Sequence, residues 1–197
     1  VAAHTILPIP AIRNRLIRLL GRSRYLLVYS LLSTALLTWI IVAARRAPFV
    51  PLWPVQDWQV WPPIILGPIA AWLLAAGLIE PNPLSISLRR DAHEVGPVPQ
   101  ITRHPVLWSF LLWAWSHIPA NGDLVSLIMF GGFGLLALAG FWLVDSRARQ
   151  RMGIDRWEEL ARMTSIIPFA AAAAGRARFG WSLSMTLATV IAGGLAA

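Results

Sequence analysis

The chain has 197 residues, 57% of them hydrophobic and 13% charged, with a formal net charge of +8 and a mean hydropathy of +0.61. Its apolar runs approach the roughly 20 residues that cross a bilayer, which makes it an integral membrane protein with no room for a separate soluble domain. It contains no cysteine, so disulfides, thiolate metal sites and cysteine nucleophiles are excluded.

In chain order, Val1 to Leu7 is apolar but too short to span, and Pro8 and Pro10 end that fragment because proline removes a backbone donor. Ile12 to Leu20 alternates apolar residues with arginines and predicts an amphipathic helix lying in the interface. Spans are expected at Tyr25 to Ala44, Pro62 to Ile79, His104 to Pro119, Leu124 to Val144 and Gly180 to the C-terminus. Between the first two, Arg45 to Trp61 holds Pro48, Pro51, Pro54, Trp53, Trp58 and Trp61, an irregular cap with an aromatic belt. Glu80 to Gln100, with Pro81, Pro83, Pro97 and Pro99, reads as a cytoplasmic connection. Asn121-Gly122-Asp123 is a turn so short that its two flanking spans must be antiparallel neighbours, with Asp123 capping the second. Asp145 to Ser165 is charged and helical in pattern, again interfacial, and Thr164 and Ser165 satisfy backbone groups at a break before the last span. The expected fold is an all-α polytopic transmembrane bundle of about five to six spans plus interfacial amphipathic helices, a single domain over 1–197.

Every basic residue is arginine. The predicted spans place Arg13 to Arg24, Arg89, Arg90, Arg103 and Arg147 to Arg178 on one side of the bilayer and only Arg45 and Arg46 on the other. That is the positive-inside pattern, so the arginine-rich loops are expected in the cytoplasm. Lipid headgroups, and not nucleic acid, are the partners it implies. Since the arginines after Pro10 are cytoplasmic, Val1 to Leu7 reads as the inner end of a span whose start is missing, giving six spans in the native protein with both ends outside.

Ionisable side chains are rare within spans and usually functional, which singles out Ile101 to Asp123, with His104 and His117 at its two ends. Arg103-His104-Pro105 starts a helix, with proline in the first turn where its missing donor is harmless. Thirteen residues separate the two histidines, about 20 Å along a helix and roughly 140° around it, so they cannot ligate one metal ion. If either binds a metal or haem, its partner comes from another span; a lone intramembrane histidine serves equally as an interhelical hydrogen-bond donor. His4 stands among the small residues Ala2 and Ala3, which leave space for a flat ligand or close helix packing; His93 lies in the proline-rich connection. Trp108, Trp113 and Trp115 line the same span, as packing or lipid-facing aromatics. Ser116 stands beside His117, placed to back-bond to the preceding turn or orient the imidazole.

Four stretches, AHTILPIPAIRNRLIRLLGRSRYLLVYSLLS, ITRHP, SHIPANGDL and GIDRWEELARMTSIIPFAAAAAGR, resemble the NnrU family of membrane proteins over nearly the whole chain. The resemblance implies a b-type haem held by the histidines at positions 4 and 117, His4 and His117. Arg176 is similar to a family arginine, which implies either a haem-propionate partner or a lipid phosphate headgroup, and His104 of the RHP motif is either structural or near a cofactor edge. The carotenoid-isomerase branch has a cysteine where this chain has Ala114, so a thiol-for-histidine exchange is not expected here. Bacterial members are linked by name to nitric oxide and nitrite metabolism, that is, to denitrification in the bacterial inner membrane. Two functions follow from the resemblance: a haem-bearing accessory or redox subunit of a membrane assembly, with other subunits or pigments as partners, or a haem-dependent cis-trans isomerase of a carotenoid-like polyene. A third comes from RHP followed by a charged helix, which is similar to small membrane methyltransferases. There Arg103, His104 and a glutamate such as Glu158 would contact S-adenosylmethionine.

Overall fold

The computed structural model describes residues 10–178 and 180–196. Backbone packing groups the chain into two compact units, Val1–Phe49 and Val50–Ala197. In the first, α1 (Pro10–Leu20) is the expected amphipathic helix and α2 (Arg22–Arg46) is long and apolar enough to cross a bilayer. They are separated at Gly21, whose φ of 78° no side chain adopts comfortably. Within this unit most apolar side chains of α2, Leu31 and Trp39 among them, are exposed, while Tyr25 is buried.

The second unit begins with a 3-10 turn at Asp57–Val60 and continues as α3 (Trp61–Ile79), α4 (Pro97–Ile101), α5 (Pro105–Asn121), α6 (Leu124–Met152), α7 (Ile154–Ala161), α8 (Ala170–Ala173) and α9 (Leu183–Ala196). Helix α5 is central, packed on α3 and on α6, while α9 packs on α3. Together with α2, the segment Asp57–Ile79 and α6 have the length and composition of membrane spans. With 17 residues, α5 sits at the lower limit for spanning, and α9 is shorter still at 14.

Without a hydrophobic drive between helices in lipid, close backbone approach decides packing, and glycines of α3 and α6 supply it against α5. A Cβ on Gly77 would stand 2.7 Å from Cγ of Pro105, and one on Gly140 would stand 2.9 Å from Leu107 Cδ2. Gly134 lies against the Trp115 indole. Pro105 is the first residue of α5, and the residues before it are held out of the helix, Thr102 fully extended and His104 at φ −122°, ψ 62°, because proline bars the helical region to its predecessor.

The α5–α6 turn forms as expected. Gly122 takes the left-handed conformation, φ 65°, and its Cα lies so near the Trp53 carbonyl that no side chain fits. Asp123 caps α6 by accepting the Ser126 N–H at 3.0 Å. A strap covers this turn: Leu52 and Trp53 donate backbone N–H groups to the Gly122 carbonyl, Leu124 donates to the Val50 carbonyl, and the Trp53 indole donates to the Pro119 carbonyl. The hydrogen bond from Ser126 holds the Asp123 carboxyl below the ordinary carboxylate range. The cap's contribution is therefore full above the pKa of an unfolded aspartate and is lost as pH falls through the lower folded value. Asp123→Ala is expected to cost about 1 kcal/mol while Asp123→Asn costs less. Denaturant titrations across that acidic range check both the difference and its disappearance.

One expectation changes. Helix α6 does not stop at Val144 but runs on to Met152, because nothing interrupts it until Gly153 at φ 85°. The interfacial stretch from Asp145 is thus partly the same helix. The stretch after Glu80 is a connection, as expected, and it packs into the unit: Glu80, Asn82, Leu84 and Ser85 are all buried.

Candidate functional site

The arginine-rich end of the second unit encloses a polar cluster. Helix α6 buries Ala137, Phe141, Asp145 and Ala148, a stripe at helical spacing that carries one carboxylate inward with its apolar neighbours. Asp145 Oδ2 accepts from Arg103 Nη1 at 2.6 Å. Arg103 Nε donates to Thr164 Oγ1 at 2.9 Å, and its guanidinium lies 4.9 Å over the Trp157 ring, whose other cation contact is Arg149 at 3.9 Å. The arginine backbone is tied as firmly: its N–H donates to the Ser165 carbonyl at 2.7 Å and its carbonyl accepts from Asn82 Nδ2 at 2.9 Å. The Thr102 hydroxyl and the Trp108 indole both donate to the Ile166 carbonyl at 2.8 Å.

His104 is wholly buried inside this cluster. Its Nδ1 is 2.8 Å from Ser85 Oγ and its Nε2 is 3.2 Å from Asp145 Oδ1. A carboxylate only accepts, so the proton belongs on Nε2 and the serine hydroxyl donates to Nδ1. The Nε2 and Oδ1 atoms are near each other yet poorly aligned, and neither completes a hydrogen bond; their attraction is electrostatic. Ser85, His104 and Asp145 stand in the order of a nucleophile, base and acid. Their exposures of 2%, 0% and 7% keep substrate away from the serine, and Arg103 already engages the carboxylate. The cluster is a brace joining the start of α5, the end of α6 and the two segments packed over them. A cofactor contact by Arg103 or His104 would require this brace to open.

His117 lies toward the opposite end of α5 and is half-buried. Its Nδ1 is 2.6 Å from the Trp113 carbonyl one turn back. A carbonyl has no proton to give, so Nδ1 carries the hydrogen and the lone pair is on Nε2. No described residue hydrogen-bonds that Nε2. The ring stacks on Phe130, centroids 5.0 Å apart and planes at 24°, and meets Trp113 at 5.2 Å. Ser116 donates to the same carbonyl at 2.9 Å and lies 3.3 Å from Nδ1, so it both back-bonds and flanks the imidazole.

The structure therefore brings Arg103 and His104 together with Asp145 and leaves His117 apart from them. Arg176 is exposed and donates to the Arg162 carbonyl at 2.9 Å; Glu158 is exposed on α7. His4 lies outside the described residues. Sequence reasoning does not single out Asn82, Ser85 or Asp145. The inward register of Asp145 relative to Ala137, Phe141 and Ala148 is a signal that could find it, whereas nothing local marks Asn82 or Ser85 in their proline-rich segment. A haem ligand needs a neutral imidazole with one nitrogen oriented by a hydrogen bond and the other free, and His117 meets both conditions while His104 meets only the first.

Among the described residues, three helices long and apolar enough to cross a bilayer, two of them packed on the short α5 that carries histidines toward its two ends, define a polytopic helical membrane protein. The NnrU protein family profile matches residues 1–196, and the chain belongs to that family. It is similar to a protein of Arabidopsis thaliana, 15-cis-zeta-carotene isomerase, chloroplastic, at 38% identity over 79 residues, which is 39% of this chain and 21% of the relative. The match thus spans about a fifth of that relative's length. No solved structure matches the chain.

Proposed function

We propose that this NnrU protein binds a b-type haem through Nε2 of His117 and works as an accessory or redox subunit of a membrane assembly, in the nitrogen-oxide metabolism with which bacterial members are associated by name. One observation carries the reading: the 2.6 Å hydrogen bond from Nδ1 of His117 to the Trp113 carbonyl, which fixes the tautomer that leaves Nε2 able to ligate. Phe130 against the ring restricts its rotation. His4 is the proposed second ligand; Arg176, on the Arg162 carbonyl at the arginine-rich end, is too far along α5 from His117 to meet a propionate of the same haem. A bound haem supplies a one-electron couple and, where an axial position is open, a site for a small gas or a substrate double bond.

A second reading, isomerisation of a carotenoid-like polyene, is favoured by the relative's name and its 38% identity over 79 residues. It is placed second because Ala114, buried at 0% exposure, occupies the position of the isomerase branch's cysteine. Turnover of a cis-carotene in a heterologous host separates the two.

Reduced-minus-oxidised and pyridine haemochrome spectra test the ligand assignment on protein purified from cells supplied with haem. Wild type is expected to show a b-type spectrum, and His4→Ala and His117→Ala to lose haem occupancy by more than about tenfold. Wild type without haem under those conditions overturns the proposal.

A further inference from the structure

Among the described residues no large apolar side chain is more exposed than Leu88, at 82%, and it lies in a connection rather than on a lipid-facing span. Its exposure is imposed by the backbone. The Leu88 N–H donates to the Leu78 carbonyl at 2.9 Å, the Ser87 hydroxyl donates to the Glu80 carbonyl at 2.6 Å, and the Arg89 N–H donates to Ser87 Oγ at 2.9 Å. Leu78 belongs to the last turn of α3. The loop is thus folded back to the level where the apolar span ends, the depth at which acyl chains give way to headgroups. From the other side Arg151 of α6 donates to the Pro83 carbonyl and Arg156 to the His93 carbonyl at 2.6 Å, so the loop is held by both helices.

The residues after Leu88 supply charge. Arg89 and Arg90 are exposed, and neither forms an ion pair with a described residue. Arg151 lies in electrostatic reach of both Arg90 and Asp91. Asp91 and Glu94 are the acids of this loop, and its cationic tip faces outward at Arg89 and Arg90. An apolar side chain at the acyl boundary with two guanidinium groups beside it complements an anionic phospholipid, whose phosphate accepts bidentate hydrogen bonds from arginine.

We propose that the loop from Ile86 to Arg90 is a docking element for anionic phospholipid, with Leu88 set into the acyl boundary and Arg89 and Arg90 on the headgroups. It needs no haem and stands apart from the function proposed above. Because this chain has no cysteine, a single Leu88→Cys change carries a nitroxide label with the rest of the sequence unaltered. In vesicles of phosphatidylcholine and phosphatidylglycerol the label is expected to collide with lipid-soluble oxygen rather than with a water-soluble nickel chelate. In a second arm, preference for spin-labelled phosphatidylglycerol over phosphatidylcholine is compared in wild type, Arg89→Gln and Arg89→Gln/Arg90→Gln. A loss of roughly fivefold per arginine is expected, and high salt should erase it. A label at 88 that meets the nickel chelate, as it would on a surface made for a water-soluble partner, overturns the proposal. So does a headgroup preference that both arginine variants leave unchanged.

Discussion

Asp145→Ala is expected to cost about 3–5 kcal/mol of folding stability, the range for a buried ion pair that loses one member. The size follows from what remains. Arg103 keeps its bond to Thr164 and the face of Trp157, but its charge stays buried with side-chain exposure of only 10% and nothing to neutralise it. The Nε2–H of His104 loses its carboxylate as well. Asp145→Asn restores shape without charge and should fall between the two. Arg103→Lys should not rescue function of the brace, since one ammonium cannot reach Thr164, Asp145 and the Trp157 face together. The double variant Arg103→Met/Asp145→Leu is expected to recover most of the loss, because no charge is then left behind. Unfolding by denaturant in mild detergent, followed by circular dichroism, ranks all four. An Asp145→Ala protein within about 0.5 kcal/mol of wild type, the range of an ordinary surface change, would refute the brace.

Gly77→Ala is the second large effect, about 1–3 kcal/mol from overpacking alone. The added methyl would meet Pro105 Cγ at 2.7 Å and Pro105 Cβ and Val106 Cγ2 at 3.0 Å. A proline ring at the first turn cannot rotate away, so the helix axes have to separate, and α5 carries the start of the polar cluster with it. Gly67→Ala on the same helix makes a fair control, since nothing lies within 4 Å of its added methyl. Thermal denaturation of the pair in one detergent gives the comparison, and equal midpoints would remove the close approach as a source of stability.

Part of this arrangement is legible in local sequence signals. The Arg-His-Pro start of α5, the glycine turn and the Asp123 cap follow from proline and glycine chemistry at single positions, and each is where those rules put it. The brace is a different case. Asn82, Ser85 and Thr164 approach Arg103 and His104 across sequence separations of 21, 19 and 61 residues, and proline-rich composition reads as a connection whether or not a bundle end covers it. The span expected to end at Val144 falls short of the helix because hydropathy drops at Asp145 although helical geometry continues to Gly153. His117 is legible as a rare ionisable group in an apolar helix; its tautomer is not, since that depends on which acceptor Nδ1 finds.

The strap over the α5–α6 turn bears on the order in which the chain is assembled. The Trp53 indole reaches the Pro119 carbonyl across 66 residues, so the strap leaves the ribosome well before the turn it covers exists. A hairpin of two neighbouring helices forms from near contacts and forms early, whereas closure by a distant segment comes late. Until then the Gly122 carbonyl, which later accepts from Leu52 and Trp53, must be met by water at the membrane surface. The proline-rich cap can thus close only once the α5–α6 turn it covers has formed.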